Sequence, residues 1–440
     1  MAKKTVRIAI VGFGTVGSGV AKIILEDADY IKAKTGVRLK LAKVVDVDIK
    51  TRRKVTLPKG VLTDNLDSVL ADKSIDIGIE LVGGTKTAKN IQLKMLAAGK
   101  DVVTANKALL AKHGNELFTA AHKAGRCIAF EASCAGGIPI ISAMRTGLAA
   151  NKIQAIYGIV NGTCNYILSN MSKKNMPFSE ALKQAQEKGY AEADPTLDIN
   201  GEDTAHKLAI LASMAFGYEI ATEDISVEGI ENIDIADIQY GKEMGYTLKL
   251  LAIGQRVNDE RIFLRVHPSF ISSESALARV DGPFNAVNVF GHAVGGTLFY
   301  GRGAGMMPTA SAVVADIIEV AMGNSGRLFK HLKLKPRKKI SKYIGKIDEL
   351  TSRFYIKLKV LDKPGVFAQI CRILAKNKIS LSGVLQHEEH NAKGLVPAIV
   401  ITHQTGQKKI IKALAGLSNL AIVKEKPVCI RIVDIPEDKD

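Results

Sequence analysis

Over the first 125 residues, short apolar runs alternate with longer amphipathic ones. Thr5–Val11 (TVRIAIV) is β-branched and aliphatic and stops at Gly12, the pattern of a strand buried on both faces. A helical pattern runs from 16 to about 30. Strand patterns follow at 39–47, 75–82 and 101–104, separated by helix-like stretches such as 87–98 and 114–124. This alternation predicts a parallel sheet with helices on both faces. From 138 to about 299, helical blocks (179–188, 203–216) mix with strands (155–160, 262–266), which predicts a second, α+β domain. A glycine-rich turn, GRGAGMMP over 301–308, opens an apolar helix over 309–322, with Pro308 near the first position, where its missing N–H costs nothing.

Beyond 350, Phe354, Ile356, Leu358 and Val360 alternate with Tyr355, Lys357 and Lys359, which predicts a half-buried strand. A turn at 362–365 and a helix presenting Val366, Ile370, Ile373 and Leu374 on one face come next. Strand 379–385, turn 391–394, strand 398–402, helix 408–417 and strand 428–433 complete βαββαβ, the ferredoxin-like order. The predicted division is a dinucleotide-binding domain over 1–137, completed by a returning helix near 305–325, and a catalytic domain over 138–304. A basic linker over 326–350 and a ferredoxin-like domain over 351–440 follow.

Composition narrows the classes. A chain of 440 residues, 47% hydrophobic and 24% charged with 12 prolines, can bury two to four cores and is neither disordered nor collagen-like. Its five cysteines (127, 134, 164, 371, 429) are odd in number and form no CxxC, which argues against a disulfide framework or thiolate zinc site and fits a reducing cytoplasm. No run of 18 apolar residues occurs, and the start lacks the apolar core of a cleavable signal, so no membrane span is expected. The net charge of +17 raises the question of nucleic acid, and residues 327–346 are the densest basic stretch. With no Trp and 5% aromatic residues there are few stacking platforms, so no nucleic-acid partner is expected, and the charge reads as a solvated face that attracts anionic small molecules.

Gly12-Phe13-Gly14-Thr15-Val16-Gly17 stands between a strand and a helix, the context a dinucleotide fingerprint requires. Gly12 permits the tight turn, Gly14 lets a pyrophosphate approach the backbone, and Gly17 lets helix and strand close up, which makes the first domain Rossmann-type. Phosphate would rest on the helix N-terminus. The acid that reads a ribose belongs at the end of the second strand, where Asp46 and Asp48 stand. Lys50, Arg52, Arg53 and Lys54 follow at once and suit a 2′-phosphate, so NAD and NADP both stay open.

Lys107, in TANK after the fourth strand, projects at the carboxyl end of the sheet, where open α/β sheets bind ligands. Gly189, Tyr190, Glu192, Asp194 and Asp198 lead into Asp203 and Lys207, gathering acids and a lysine in one turn-rich stretch. Spacing alone favours helix capping and an i,i+4 Asp203–Lys207 pair; the functional reading is a pocket for a substrate ammonium beside a proton donor. The histidines form no HExxH, and His387 and His390 in QHEEH read as flanking a loop. Without a GxSxG elbow or Walker loop, acyl and phosphoryl transfer have no anchor.

Together these segments resemble homoserine dehydrogenase of the long form, which ends in an ACT regulatory domain. GFGTVG, VVTANKALLA, FEASCAGGIPII, NGTCNYIL, GYAEADPTLDINGEDTAHKLAILA and GRGAGMMPTASAVVADI are similar to that family's segments in the same order. VLDKPGVFAQICRILA is similar to the ACT module. The resemblance implies an NAD(P)-dependent oxidoreductase that interconverts L-homoserine and L-aspartate 4-semialdehyde, toward threonine, isoleucine and methionine. It implies Lys207 as proton donor to the carbonyl oxygen, a role a desolvated lysine suits. Lys107 would be a second active-site lysine between cofactor and substrate, with Glu192, Asp203, Asp198, Gly189 and Tyr190 around the amino acid. Gly12 to Gly17, Asp46, Lys107 and Gly303 would bind the dinucleotide.

The resemblance also implies a sodium-type cation at Glu131, Cys134, Gly136 and Ile138, mostly on backbone carbonyls, where a kinked loop around Gly136 and Gly137 is the plainer reading. Threonine is its expected effector, and a homodimer or homotetramer its expected assembly, with dimerisation through 138–304. Val47 precedes Asp48 where NADP-preferring members carry arginine, which argues against a strict NADP preference. The competing readings are another nicotinamide-dependent amino-acid dehydrogenase and a non-catalytic metabolite sensor.

Overall fold

The computed structural model describes residues 5–257, 261–332, 334, 342–387 and 394–436. The first strands and helices are β1 (Thr5–Val11), α1 (Thr15–Glu26), α2 (Ala28–Thr35), β2 (Arg38–Val45), β3 (Leu62–Thr63), β4 (Ile77–Glu80), α3 (Lys86–Ala97), β5 (Asp101–Thr104), α4 (Lys107–Ala124) and β6 (Ile128–Ala129). The strands form one parallel sheet in the order β3-β2-β1-β4-β5-β6. Its core is the β-branched set of the sequence pattern: Ile8, Ile10, Ile79, Val102 and Val103 are fully buried. Strand order reverses between β1 and β4, and the crevice at that switch point is where such sheets bind ligands.

Three element expectations change. The helix expected from 16 to 30 is two helices, because Asp27 leaves helical geometry (φ −103°, ψ 15°) and α2 then ends at left-handed Gly36. The second strand stops at Val45, and Val47, which the expected strand included, is 98% exposed in a turn. The helix expected at 114–124 starts seven residues earlier at Lys107, because the Asn106 side chain accepts the Leu109 N–H and caps it.

The chain folds as two compact units. The first comprises residues up to 162, 203–225 and 283–342. Beside the parallel sheet it holds the antiparallel strands Ile153–Ile159, Phe284–Gly291 and Gly295–Arg302, and the helix Glu202–Phe216. The returning helix Met306–Ala321 packs so closely on α1 that a Cβ on Gly19 would lie 2.9 Å from the Ala310 Cβ. Pro308 is its third residue rather than near its first, still within the turn whose N–H groups lack helical partners. The stretch expected as linker begins inside a helix, Asn324–His331, anchored by buried Phe329. Among the described residues no single helix is long and apolar enough to cross a membrane.

The second unit comprises 163–202, 226–282 and the chain from 343. Two long antiparallel strands, Tyr246–Val257 and Arg261–Ser272, precede the βαββαβ segment. That segment's strands run Val428–Ile432, Thr351–Leu361, Leu395–Thr402, Leu381–Gln386 across the sheet, over a core of Ile356, Leu358, Ile370, Leu374, Val400 and Ile410. The strand expected to be half-buried is buried continuously from Phe354 to Leu358. Its second face is covered as well: the Tyr355 hydroxyl donates to Asp237 at 3.0 Å, and Lys357 pairs with the same carboxylate at 2.9 Å. His387 bonds Glu243 at 2.8 Å; His390 and most of the turn expected at 391–394 lie outside the described residues.

Candidate active site

The glycine loop is built by contact as well as by turn geometry. Gly12 has φ +101°, and a Cβ there would lie 2.6 Å from the Leu81 carbonyl; a Cβ on Gly17 would sit 2.1 Å from the Gly12 oxygen. Around Gly14 no protein atom lies within 4 Å of such a Cβ, so the loop is open where a pyrophosphate would approach. Gly14 and Thr15 are exposed and Val16 is half-buried at the start of α1.

Asp46 is turned to this loop. Its carboxylate accepts the Phe13 N–H at 2.5 Å and the Asp48 N–H at 2.8 Å, so the acid expected to read a ribose also braces the turn. Arg53 donates to the Phe13 carbonyl at 2.9 Å, lies 5.9 Å from the Phe13 ring and pairs with Asp48. Hydrogen bonds, foremost from the Thr51 side chain, lower the Asp48 carboxyl to about 2.

Elsewhere in the same unit three charges converge. Lys107 opens α4; Asp203 and Lys207 stand one turn apart on the helix Glu202–Phe216. The Asp203 carboxylate lies 2.5 Å from the Lys107 ammonium through one oxygen and 2.7 Å from that of Lys207 through the other. Asn161 donates to it at 2.9 Å, and Lys207 also donates to the Val160 carbonyl at 2.6 Å. Asp203 is 5% exposed and Lys207 9%. Burial alone would raise the Asp203 carboxyl; the ammonium groups of Lys207 and Lys107 outweigh it and hold the group well below the usual carboxylate range. The i,i+4 pair read from spacing exists, and Lys107 joins it from 96 residues away. Cys134 faces the Lys207 carbonyl at 3.8 Å, but burial pushes its thiol up to about 12, which leaves it a neutral, weak donor.

Glu192, Asp198, Gly189 and Tyr190 belong to the second unit. Gly189 (φ +70°) follows the helix Phe178–Glu187, and Tyr190, 41% exposed, holds its ring 4.9 Å from that of Tyr166 while its carbonyl accepts from Thr163. Glu192 is exposed; Asp198 lies in the short helix Thr196–Ile199. Asp194 is a turn brace, its carboxylate bonded to the Thr196 hydroxyl at 2.6 Å.

The Glu131 carboxylate is committed to the main chain, accepting from Ile141 and Ser142 at 2.8 and 2.7 Å. Ala135 and Gly136 are both left-handed (φ 53° and 56°), and the Ile138 carbonyl accepts from Ile140. A Cβ on Gly136 would lie 2.3 Å from the Gly303 oxygen, and one on Gly303 would overlap Asn285, so both glycines serve a close chain crossing. Among the described residues no group of three His, Cys, Asp or Glu side chains is placed to hold a metal. A cation here would rest on main-chain carbonyls.

Asn161 was not singled out by sequence reasoning, because its partner stands 42 residues away and only the fold joins them.

Three family descriptions match the chain: "Homoserine dehydrogenase, NAD binding domain" over residues 12–131, "Homoserine dehydrogenase" over 139–318 and "ACT domain" over 354–419. A curated homoserine dehydrogenase of Helicobacter pylori is 45% identical over 436 residues, covering 98% of this chain and 99% of that one. The crystal structure of a homoserine dehydrogenase from Thiobacillus denitrificans superposes with a TM-score of 0.90 at 41% identity, covering 98% of both chains. A hyperthermophilic archaeal homoserine dehydrogenase in complex with NADPH matches 72% of this chain and 98% of its own, at 27% identity and a TM-score of 0.61.

Proposed function

Because the chain belongs to the homoserine dehydrogenase family of NAD(P)-dependent oxidoreductases, we propose that the Lys107–Asp203–Lys207 cluster is where it interconverts L-homoserine and L-aspartate 4-semialdehyde. The observation that carries this is one buried carboxylate bridging two lysine ammonium groups at 2.5 and 2.7 Å. An ammonium has three protons. Lys207 commits two of them, to Val160 and Asp203, which leaves one N–H to donate to the aldehyde oxygen in reduction and to be restored by the alcohol in oxidation. Asp203 holds that lysine in place through their ion pair, and Lys107 adds positive charge beside the developing alkoxide. Glu192 and Asp198 carry the negative charge that suits the substrate ammonium, with Gly189 and Tyr190 shaping their turn.

The dinucleotide is held by residues 12–17 with Asp46 and, from the returning segment, Gly303; when bound it supplies or accepts the hydride. The open side of Gly14 supports this assignment. Our reading further includes a sodium-type cation on the carbonyls of Glu131, Cys134, Gly136 and Ile138, a homodimer or homotetramer, and a cytoplasmic location. It also includes feedback inhibition by threonine through the ACT domain, and a division into a dinucleotide-binding domain over 1–137 completed near 305–325, a catalytic domain over 138–304, a linker over 326–350 and a regulatory domain over 351–440.

The test is to follow nicotinamide absorbance with L-homoserine, using NAD and NADP in parallel, with and without L-threonine. Reduction of one or both cofactors, slowed by threonine, is expected. No reduction by folded protein would overturn the assignment of the site, and reduction that threonine leaves unchanged would overturn the effector alone.

A further inference from the structure

One buried acid of the dinucleotide domain, Glu80, stands outside the sites described above. Glu80 is the last residue of β4 and is fully buried, standing in register between Val11 of β1 and Thr104 of β5. A carboxylate there is costly unless donors converge on it. Three do: Val82 N–H at 2.9 Å on one oxygen, and Gln92 Nε2 at 2.8 Å and the Thr104 hydroxyl at 2.9 Å on the other. Thr104, paired with Glu80 in register across β4 and β5, accepts the Asn106 N–H at 3.0 Å. Asn106 caps α4 through Leu109 and donates from its amide to the Gly84 carbonyl at 2.7 Å.

These bonds close a ring through Glu80, Thr104, Asn106, Gly84 and Val82. The ring ties the loop after β4 to the loop after β5, at the carboxyl edge of the sheet. In the first loop Gly83 and Gly84 are both left-handed (φ +80° and +66°), and among the described residues nothing beyond their chain neighbours lies within 4 Å of where a Cβ would stand. The second loop ends at Lys107, one residue past Asn106.

We propose that Glu80 is a positioning residue, which through Thr104 and Asn106 sets the start of α4 and so the place of the Lys107 ammonium beside Asp203. Glutamine keeps one accepting oxygen but puts an NH2 in place of the other, so it cannot accept from the three donors as they stand. The inference rests on the reading of Lys107 as an active-site lysine, and its test separates the two. Glu80→Gln, Thr104→Val, Thr104→Ser, Lys107→Ala and the double variant Glu80→Gln/Lys107→Ala are compared for kcat, KM for L-homoserine and dinucleotide affinity by fluorescence titration.

The expected result is a fall in kcat of at least about 30-fold in Glu80→Gln and Thr104→Val, dinucleotide affinity within about threefold, and near-full rescue in Thr104→Ser, which keeps the hydroxyl. Because Glu80 acts through Lys107, adding Glu80→Gln to Lys107→Ala should cost less than about threefold more. Unchanged kcat in Glu80→Gln while Lys107→Ala is impaired would overturn this inference alone. Full activity in Lys107→Ala would overturn the reading beneath it. Equal loss of kcat, dinucleotide binding and thermal stability in every Glu80 and Thr104 variant would reduce Glu80 to a structural residue and overturn the proposal. If Glu80→Gln does not accumulate folded, the Thr104 pair decides, since Thr104→Val deletes the same hydrogen bond without emptying the site.

Discussion

Asp203 carries its negative charge where burial opposes it, and two lysines make that charge favourable. Its carboxyl is held down in the folded chain, so the stability it adds is complete above about pH 4, the ordinary carboxylate value, and is lost as pH falls toward the folded one. Asp203→Asn keeps the shape and removes the charge, leaving Lys107 and Lys207 to repel each other. It should lower stability by about 3 kcal/mol at pH 7, the scale for breaking a buried pair, and kcat by at least about 100-fold. Urea unfolding at pH 7 and pH 3 checks the sign: the gap from wild type should narrow at pH 3, and an equal gap at both would refute the charge as its source. At this scale the sequence was legible where local structure follows from one residue's backbone, as at Gly12 and Gly17. Asn161 and Glu80 were illegible because their partners are distant in the chain, and at Asp46 the sequence showed an acid just past the second strand but not its grip on Phe13.

The strand Thr351–Leu361 shows what periodicity conveys and what it omits. Alternation of Phe354, Ile356, Leu358 and Val360 revealed a strand and one buried face; it could not reveal that Asp237, from the helix Ile235–Glu243, covers the other face at Tyr355 and Lys357. Asp237 is fully buried, Lys357 is 5% exposed, and burial raises the Asp237 carboxyl above its ordinary value despite the lysine. Removing one partner strands the other, so Lys357→Met should destabilise by about 3 kcal/mol, and Asp237→Asn/Lys357→Met should recover at least about half of that. The denaturant midpoints of the three proteins measure this, and a double variant no better than the single would show that packing, not the charge pair, is at stake. The same contact joins the ACT segment to the helix Ile235–Glu243. Other element boundaries moved for local reasons: an aspartate that interrupts α1, an asparagine cap that lengthens α4, and a proline tolerated at a third helical position.

At the scale of the whole molecule, the alternation of strands and helices, the glycine fingerprint and the βαββαβ order conveyed the architecture, and the homologues agree with it. How the chain is shared out was not legible, because each unit is assembled from separate stretches that only tertiary contacts group. This matters for function: Lys107, Asp203 and Lys207 come together in one unit from segments almost 100 residues apart, while Glu192 and Asp198 belong to the other. In the proposed function the chain uses Lys207 for proton transfer and its glycine loop for the dinucleotide, as separate functions. The most direct measurement is turnover of L-homoserine by Lys207→Ala, alongside dinucleotide binding by the same protein. Turnover should fall by at least about 1,000-fold with dinucleotide affinity within about threefold of wild type. Near-normal turnover by the folded variant would contradict the role of Lys207, and loss of dinucleotide binding with turnover would contradict the separation of the two sites.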